Sequence, residues 1–171
     1  LIGALTTLVP ADATPAGATA SGHSSLSGWP HEAPAAAVPR LLAAAHATAQ
    51  GSDGQVLTLV IHPRGHTNVD INGNGVTDPG DYVVFAQGLR DEDSGRLVGR
   101  DSFRCMQDVG DAGSCDGTIQ LFNRGKLTVQ GSTFTFNDNR YAITGGTANF
   151  VGASGEMAPT ETGLIILTVV Q

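Results

Sequence analysis

The sequence predicts an all-β fold, an eight-stranded antiparallel barrel that follows a long extended N-terminal arm. Residues 51–171 divide into short apolar or alternating segments separated by clusters of Gly and Asp, which is the pattern of strands joined by tight turns. The composition agrees, because 23 of the 171 residues are glycine and only 15% are charged. About eight such strands close into a small barrel whose interior holds side chains or one ligand.

Individual strands follow from the apolar pattern of each segment. Val56–His62 is almost continuously apolar, as expected of a buried strand. In Lys126–Phe136 the apolar parity changes across Gly131, which predicts a bulge or bend at that glycine. Gly145 and Gly146 predict a corner built on positive backbone φ angles. The predicted strands are Val56–His62, Tyr82–Leu89, Leu97–Met106, Thr118–Asn123, Lys126–Phe136, Tyr141–Thr144, Gly152–Met157 and Leu164–Val170.

The first fifty residues differ in composition from the rest of the chain. Five of the eight prolines lie there with much of the alanine, and no strong apolar periodicity runs through the segment. Residues 1–50 are therefore predicted to form an extended arm and residues 51–171 the barrel domain. Within the arm, Pro39–Ala49 predicts a short helix with proline in its first turn. The candidate assembly residues at the apolar start of the arm are Leu1, Ile2, Leu5, Leu8 and Val9.

The net charge and the N-terminal segment limit the binding partners and the cellular location that we expect for this protein. The formal net charge of −7 disfavours nucleic acid and anionic membranes as partners. No apolar run approaches the roughly 20 residues that a membrane-spanning helix needs. The segment that ends at Ala13 resembles either the tail of a secretory signal or a processed terminus. Together with a single lysine and an even number of cysteines, these features predict a secreted or cell-surface protein.

Three motifs stand in the order found in one group of barrels. The first is Gly80–Phe85 (G-D-Y-V-V-F), and the second is Cys105 at the end of the hairpin that follows. The third is Gly125–Glu156, which contains V-Q-G at Val129–Gly131 and A-I-T-G-G-T at Ala142–Thr147. These motifs resemble the allene oxide cyclase and dirigent β-barrel superfamily. The resemblance implies a barrel of allene oxide cyclase/dirigent type, and the arm lies outside it.

The same resemblance implies where a ligand site would lie. The plant cyclases of this superfamily rearrange an unstable epoxide inside the barrel, with a glutamate on the first strand, polar residues that bind a water and an aromatic near the T-G-G corner. Here the first strand carries no acid, and Gln87 takes roughly the place of the polar residue. Arg140 stands at the aromatic position with Tyr141 beside it. The pocket candidates are Gln87, Cys105, Arg140 and Tyr141.

Cys105 and Cys115 allow two interpretations. Cys105 is a reactive thiol in one, because it lies close to a barrel motif. In the other, the two cysteines form a disulfide that closes a hairpin, which is the expected state in an exported protein.

Asp70–Asp81 reads D-I-N-G-N-G-V-T-D-P-G-D, which resembles a calcium loop of EF-hand or dockerin type. Oxygen-bearing side chains fall at loop positions 1, 3, 5, 9 and 12, and Gly75 stands at position 6, where the loop turns sharply. Calcium is therefore a candidate cofactor. The alternative is an Asx-rich loop that bonds its own backbone without an ion. The candidate ligands are Asp70, Asn72, Asn74, Asp78 and Asp81.

Arg100, Asp101 and Arg104 form a charged group on one predicted strand. Such side chains either reach into a pocket or make exposed ion pairs, and exposed pairs are the more common outcome.

Two functions of different class follow. The first is a non-catalytic exported barrel that assembles with copies of itself, the arm adding a strand to a neighbour. It rests on the arm, on the lack of an acid in the first strand and on the lack of a recognisable catalytic set. The alternative is a cyclase- or dirigent-like barrel that binds an apolar small molecule and guides its cyclisation, which depends on a shaped, dry pocket. A calcium-dependent surface-binding module is a third option.

Overall fold

A computed structural model describes residues 37–51, 54–110, 112–133, 140–160 and 162–171. Within these residues one helix, α1 (Val38–Gly51), precedes eight strands. The strands form a closed barrel in which every strand pairs antiparallel with the next and the last pairs with the first. The predicted all-β, eight-stranded antiparallel barrel is thereby confirmed. The strands are β1 (Gln55–Val69), β2 (Tyr82–Asp91), β3 (Leu97–Gln107), β4 (Gly113–Leu121), β5 (Gly125–Thr133), β6 (Tyr141–Gly146), β7 (Ser154–Pro159) and β8 (Leu164–Val170).

The two-residue period of the strands separates the barrel interior from its outer wall. In β3, Gly99, Asp101, Phe103 and Cys105 are buried, and the residues between them are exposed. Alternate residues point to opposite faces of a strand, so the buried set faces the interior. The largest side chains that are completely buried include Phe150, Leu89, Ile119, Leu127 and Leu167. These side chains fill the middle and one end of the barrel, the end that Phe150 closes.

Helix α1 covers part of the outer wall. Its Ala45 joins Ala158 of β7 and Ile166 of β8 in a second buried cluster, outside the barrel. This explains why β8 is buried on both faces, since one face meets the interior and the other meets the helix. The predicted helix at Pro39–Ala49 is confirmed. Among the described residues, α1 included, no helix has the length and apolar character that crossing a bilayer requires.

The rest of the predicted arm is not described. The candidate assembly residues Leu1, Ile2, Leu5, Leu8 and Val9 lie outside the described residues, so their role stays a prediction.

Two strands, β1 and β4, depart most from their predicted bounds. β1 continues past Pro63 and Gly65 to Val69, and its register with β2 shifts between those two residues. β4 begins at Gly113 rather than Thr118. The residues of its first half are small or polar, so the apolar pattern of the sequence did not mark them as a strand. The predicted bulge at Gly131 is wrong: this glycine pairs in regular register with Cys115, and the shift lies between Thr128 and Val129 against β6. A Cβ on Gly131 would lie 2.9 Å from Tyr141 Cδ1, so the glycine makes room for that ring.

The glycine corner also has a different cause from the one predicted. The positive φ angle after β6 belongs to Ala148, at 53°, and not to Gly145 or Gly146. Gly146 is needed for space, because a Cβ there would lie 2.5 Å from Phe150 Cβ. The corner therefore depends on close packing against the phenylalanine that closes this end of the barrel.

Cys105 and Cys115 stand directly opposite each other on β3 and β4. They form a disulfide, and both are buried on the inner face. The disulfide interpretation is confirmed, and the reactive-thiol interpretation is wrong because the sulfur is already bonded.

We expect reduction of this disulfide to lower the free energy of unfolding by about 2–3 kcal/mol, because it releases a short loop in the unfolded chain. Urea denaturation with and without dithiothreitol measures the difference. The double variant Cys105→Ala/Cys115→Ala is the control and should not respond to the reductant. An equal response of both proteins would contradict the assignment.

Candidate functional site

Asp101 places a carboxyl group inside the barrel. The residue is 3% exposed, and neither carboxylate oxygen has a hydrogen-bond partner. Its neighbours on the inner face are Gln87 on β2 and Ile119 on β4, which pair with it in register. Burial raises the pKa of Asp101 from 3.8 to about 7. The backbone amide of Gln87 opposes this rise without reaching hydrogen-bond geometry.

Such a group is costly to the fold. A buried polar group without a partner costs roughly 1–3 kcal/mol, and a charged one costs more. An apolar residue of similar size would pack this position without that cost. A buried acid with a strongly raised pKa is a recognised mark of a functional site, and Asp101 is the candidate here.

Three aromatic rings line the interior next to Asp101. The rings of Phe85 and Phe103 stack with their centroids 5.5 Å apart and an interplanar angle of 15°. The ring of Tyr141 is tilted by 59° against Phe103, at 6.4 Å. Gly117 on β4 permits this arrangement, because a Cβ there would lie 2.3 Å from Phe103 Cδ1. The aromatic rings therefore occupy space that the sequence keeps free of other side chains.

Tyr141 is held in a fixed position within this group. Its hydroxyl donates to Cys115 Sγ at 3.9 Å, and burial raises its pKa to about 12. Tyr141 is thus a neutral hydrogen-bonding group throughout the physiological pH range.

The barrel wall is open on the side of β1 and β2. β8 pairs with β1 only as far as Val60, opposite Leu164, and the last contact is Ile61 N donating to Gly163 O at 2.7 Å. Beyond it, β1 pairs with β2 alone. Ile61, Phe85 and Gln87 are inner-face residues that stay partly exposed there, and we call this opening the mouth. Gln87, at the mouth, pairs in register with the buried Asp101.

The structure brings together only some of the predicted pocket residues. Gln87 and Tyr141 face the interior, whereas Cys105 is locked in the disulfide. Arg140 lies on the outer surface, where its Nη1 is 2.9 Å from Glu156 Oε1, so it does not join the interior group. This position follows from strand parity, because Arg140 immediately precedes the inward-facing Tyr141.

The sequence left two outcomes open for Asp101, an inward position or the more common exposed ion pair, and in the structure it is buried in the interior. The exposed ion pair is found for Arg104, which pairs with the exposed Asp116 at 2.9 Å. The missed signal lies in the alternation of β3, because Asp101 shares its parity with the apolar Phe103 and Cys105.

Two hollows lie on the outer wall, and Asp101 lines neither. One of about 120 Å³ lies between α1 and strands β7 and β8. A shallow one of about 490 Å³ crosses the outer faces of β3 to β6.

The candidate calcium loop joins β1 to β2 and bonds its own groups. Asp70 accepts from the backbone amides of Gly73 at 2.6 Å and Gly75 at 2.7 Å, and these bonds, that of Gly75 first, lower its pKa. The amide groups of Asn72 and Asn74 both donate to Asp78. This hydrogen bonding is that of an Asx-rich loop.

Asp81 ends the same loop and is buried. Its carboxylate accepts from the backbone amides of Ile71 at 2.9 Å and Asp78 at 3.0 Å. Asp81, which immediately precedes β2, therefore joins the two ends of the loop through its carboxylate, and calcium binding stays a prediction.

No protein-family model and no curated protein sequence matches this chain. Solved structures do match it. One described as a pyocyanin demethylase is 24% identical, with a TM-score of 0.60, and the match covers 68% of this chain and 100% of that one. The chain has the allene oxide cyclase/dirigent barrel fold. The pterocarpan synthase dirigent protein GePTS1 is similar at 16% identity and a TM-score of 0.52, over 68% of this chain and 82% of that one.

We expect Asp101 to make stability depend on pH in a direction opposite to most carboxylates. In the unfolded chain the carboxyl ionises near 3.8, whereas in the barrel it keeps its proton up to about pH 7. The contribution of Asp101 to stability therefore falls as pH rises from 4 to 7. Relative to Asp101→Asn, the free energy of unfolding should fall by about 3 kcal/mol across that range. Urea denaturation at several pH values tests this, and parallel curves would contradict it.

A calcium titration followed by calorimetry tests the loop. If the loop binds calcium, the protein releases heat at millimolar or lower concentration and Asp78→Ala does not. We expect this difference because position 9 of such loops contributes to the calcium site. No heat from the unsubstituted protein would remove the calcium prediction.

Proposed function

We propose that this barrel binds a largely apolar aromatic small molecule through the mouth, and that Asp101 exchanges a proton with it. The observation that carries the proposal is the buried carboxyl of Asp101, which has no partner in the barrel itself. A protein that used the barrel only as a building block would gain stability by replacing it.

The proton chemistry follows from the environment of Asp101. With a pKa of about 7, both the acid and the carboxylate are populated near neutral pH. A general acid or base works best when its pKa lies near the working pH. Gln87, at the mouth, pairs with Asp101 on the adjacent strand and supplies an amide that can bond either form.

The aromatic rings favour a flat ligand. Phe85 stacks nearly parallel on the buried Phe103 and remains partly exposed at the mouth. Offset stacking on such faces contributes about 0.5–1.5 kcal/mol beyond simple burial. The mouth therefore suits a planar ring system that enters edge first.

The comparisons favour small-molecule binding over self-assembly. Both similar structures have names that refer to small molecules, pyocyanin and a pterocarpan. A cyclase-like or dirigent-like reaction, in which the barrel guides a bound molecule toward ring closure, is consistent with this proposal. Filament formation rests on the arm and stays a prediction. The disulfide is compatible with the predicted secreted location.

Binding of prodan, a neutral naphthalene dye whose emission shifts to the blue in apolar surroundings, tests the proposal. We expect saturable binding with a blue shift. Gln87→Trp should weaken binding at least tenfold because a large ring fills the mouth. Ala86→Trp is the matched control, since Ala86 is the next residue on β2 and faces outward. Equal effects of the two substitutions, or no saturable binding, would contradict the proposal.

A further inference from the structure

We infer that the ligand of this barrel is an aromatic organic cation, held by the Asp101 carboxylate and the partly exposed ring of Phe85. The inference rests on the proposed function and specifies the charge of its ligand. The distinguishing observation is that Asp101 is 3% exposed, aimed into the interior, and without a partner for either oxygen.

The interior of the described barrel supplies no positive charge to Asp101. The neighbouring inner-face residues are Gln87 on β2, Ile119 on β4 and, beyond it, Leu127 on β5. The titratable groups of the same parity are Tyr141 on β6 and, at the rim, His66 of β1, which pairs with Phe85. Asp81 and Asp91 share that parity at the two ends of β2, and their carboxylates accept hydrogen bonds from the adjoining loops. Across the described part of the chain, the lysine and arginine side chains belong to the outer wall, the turns or α1.

Arg124 lies near the end of the barrel that Phe150 closes. Its side chain contacts Phe150 and Gln55 rather than Asp101. Its guanidinium lies over the Phe150 ring, 5.2 Å from the centroid, and donates to Gln55 Oε1 at 2.7 Å. The carboxylate oxygens of Asp101 have no hydrogen-bond partner among the described residues. A counter-charge for the ionised form of Asp101 would therefore be supplied by a ligand.

The groups around Asp101 suit an organic cation. A cation gains by lying against aromatic faces, and the gain grows when water is excluded. The Phe85 ring, which stacks on the buried Phe103 and stays partly exposed, offers such a face two residues from Gln87 on β2. A buried carboxylate without a partner is strongly unfavourable, so a ligand that brings its own positive charge removes that cost. An anionic ligand would meet the carboxylate as a like charge, and a purely apolar one would leave it unpartnered.

The test compares two probes of the same size and shape. N-methylquinolinium is a permanent cation, and 1-methylnaphthalene is its neutral counterpart. Ligand-observed NMR with the full chain gives both dissociation constants from pH 5 to pH 9. At pH 8 we expect the cation to bind at least tenfold more tightly than the hydrocarbon.

The pH dependence of the cation's association constant gives a second expectation, which the unsubstituted protein can test. A permanent cation competes with the proton for the carboxylate, so its association constant should rise about tenfold per pH unit below pH 7 and level off above it. Asp101→Asn should abolish both the preference for the cation and the pH dependence. Asp93→Asn is the matched control, because it removes one charge at the exposed β2–β3 hairpin, and it should change neither.

The outcomes separate this inference from the proposed function. Equal, pH-independent binding of both probes would contradict the inference of a cationic ligand but would still support binding of an aromatic molecule. Affinity for the neutral probe that exceeds that of the cation and falls above pH 7 would also overturn it, since the protonated acid would then be the binding form. Failure of both probes at millimolar concentration would contradict the inference and the proposed function together.

Discussion

The burial of the Asp101 carboxyl is the interaction on which the interpretation of this barrel depends. Eight strands close on themselves, so the backbone of the wall is paired in a full circle. The interior is otherwise apolar or aromatic, and that environment, rather than a neighbouring charge, raises the pKa of Asp101. Desolvation of this kind is reversed when a ligand or a proton satisfies the group. The barrel therefore keeps, at the expense of its own stability, a buried acid that no described group satisfies.

The same fold decides where that partner can enter. α1 covers the outer faces of β8 and β1, and Phe150 closes one end. β1 is much longer than β8, so its second half pairs only with β2 and leaves the inner face of β2 partly exposed. The disulfide between β3 and β4 holds the wall next to Tyr141. The helix thus covers the wall at β8 and β1, and the disulfide cross-links it at β3 and β4. The wall beside Phe85 and Gln87 of β2 is partly exposed.

Much of this fold could be read from the sequence, because strand periodicity is a local property. The α1 helix and most strand bounds followed from apolar patterns and from proline and glycine positions. The bulge expected at Gly131 and the φ angles expected at Gly145 were wrong, because those glycines make space for Tyr141 and Phe150, which approach from elsewhere in the chain. Asp101 could have been placed by its parity with Phe103, but its lack of a partner depends on every strand around it. The mouth likewise arises from the unequal lengths of β1 and β8.

A direct titration of the Asp101 side chain tests the central claim. Carbon-13 NMR of the carboxyl carbon, assigned by comparison with Asp101→Asn, follows its ionisation in the folded protein. The structure predicts a midpoint near pH 7, with the carboxyl protonated in mildly acid solution. A midpoint near 3.8, the ordinary value for aspartate, would mean that the group is solvated or paired, and it would contradict the account.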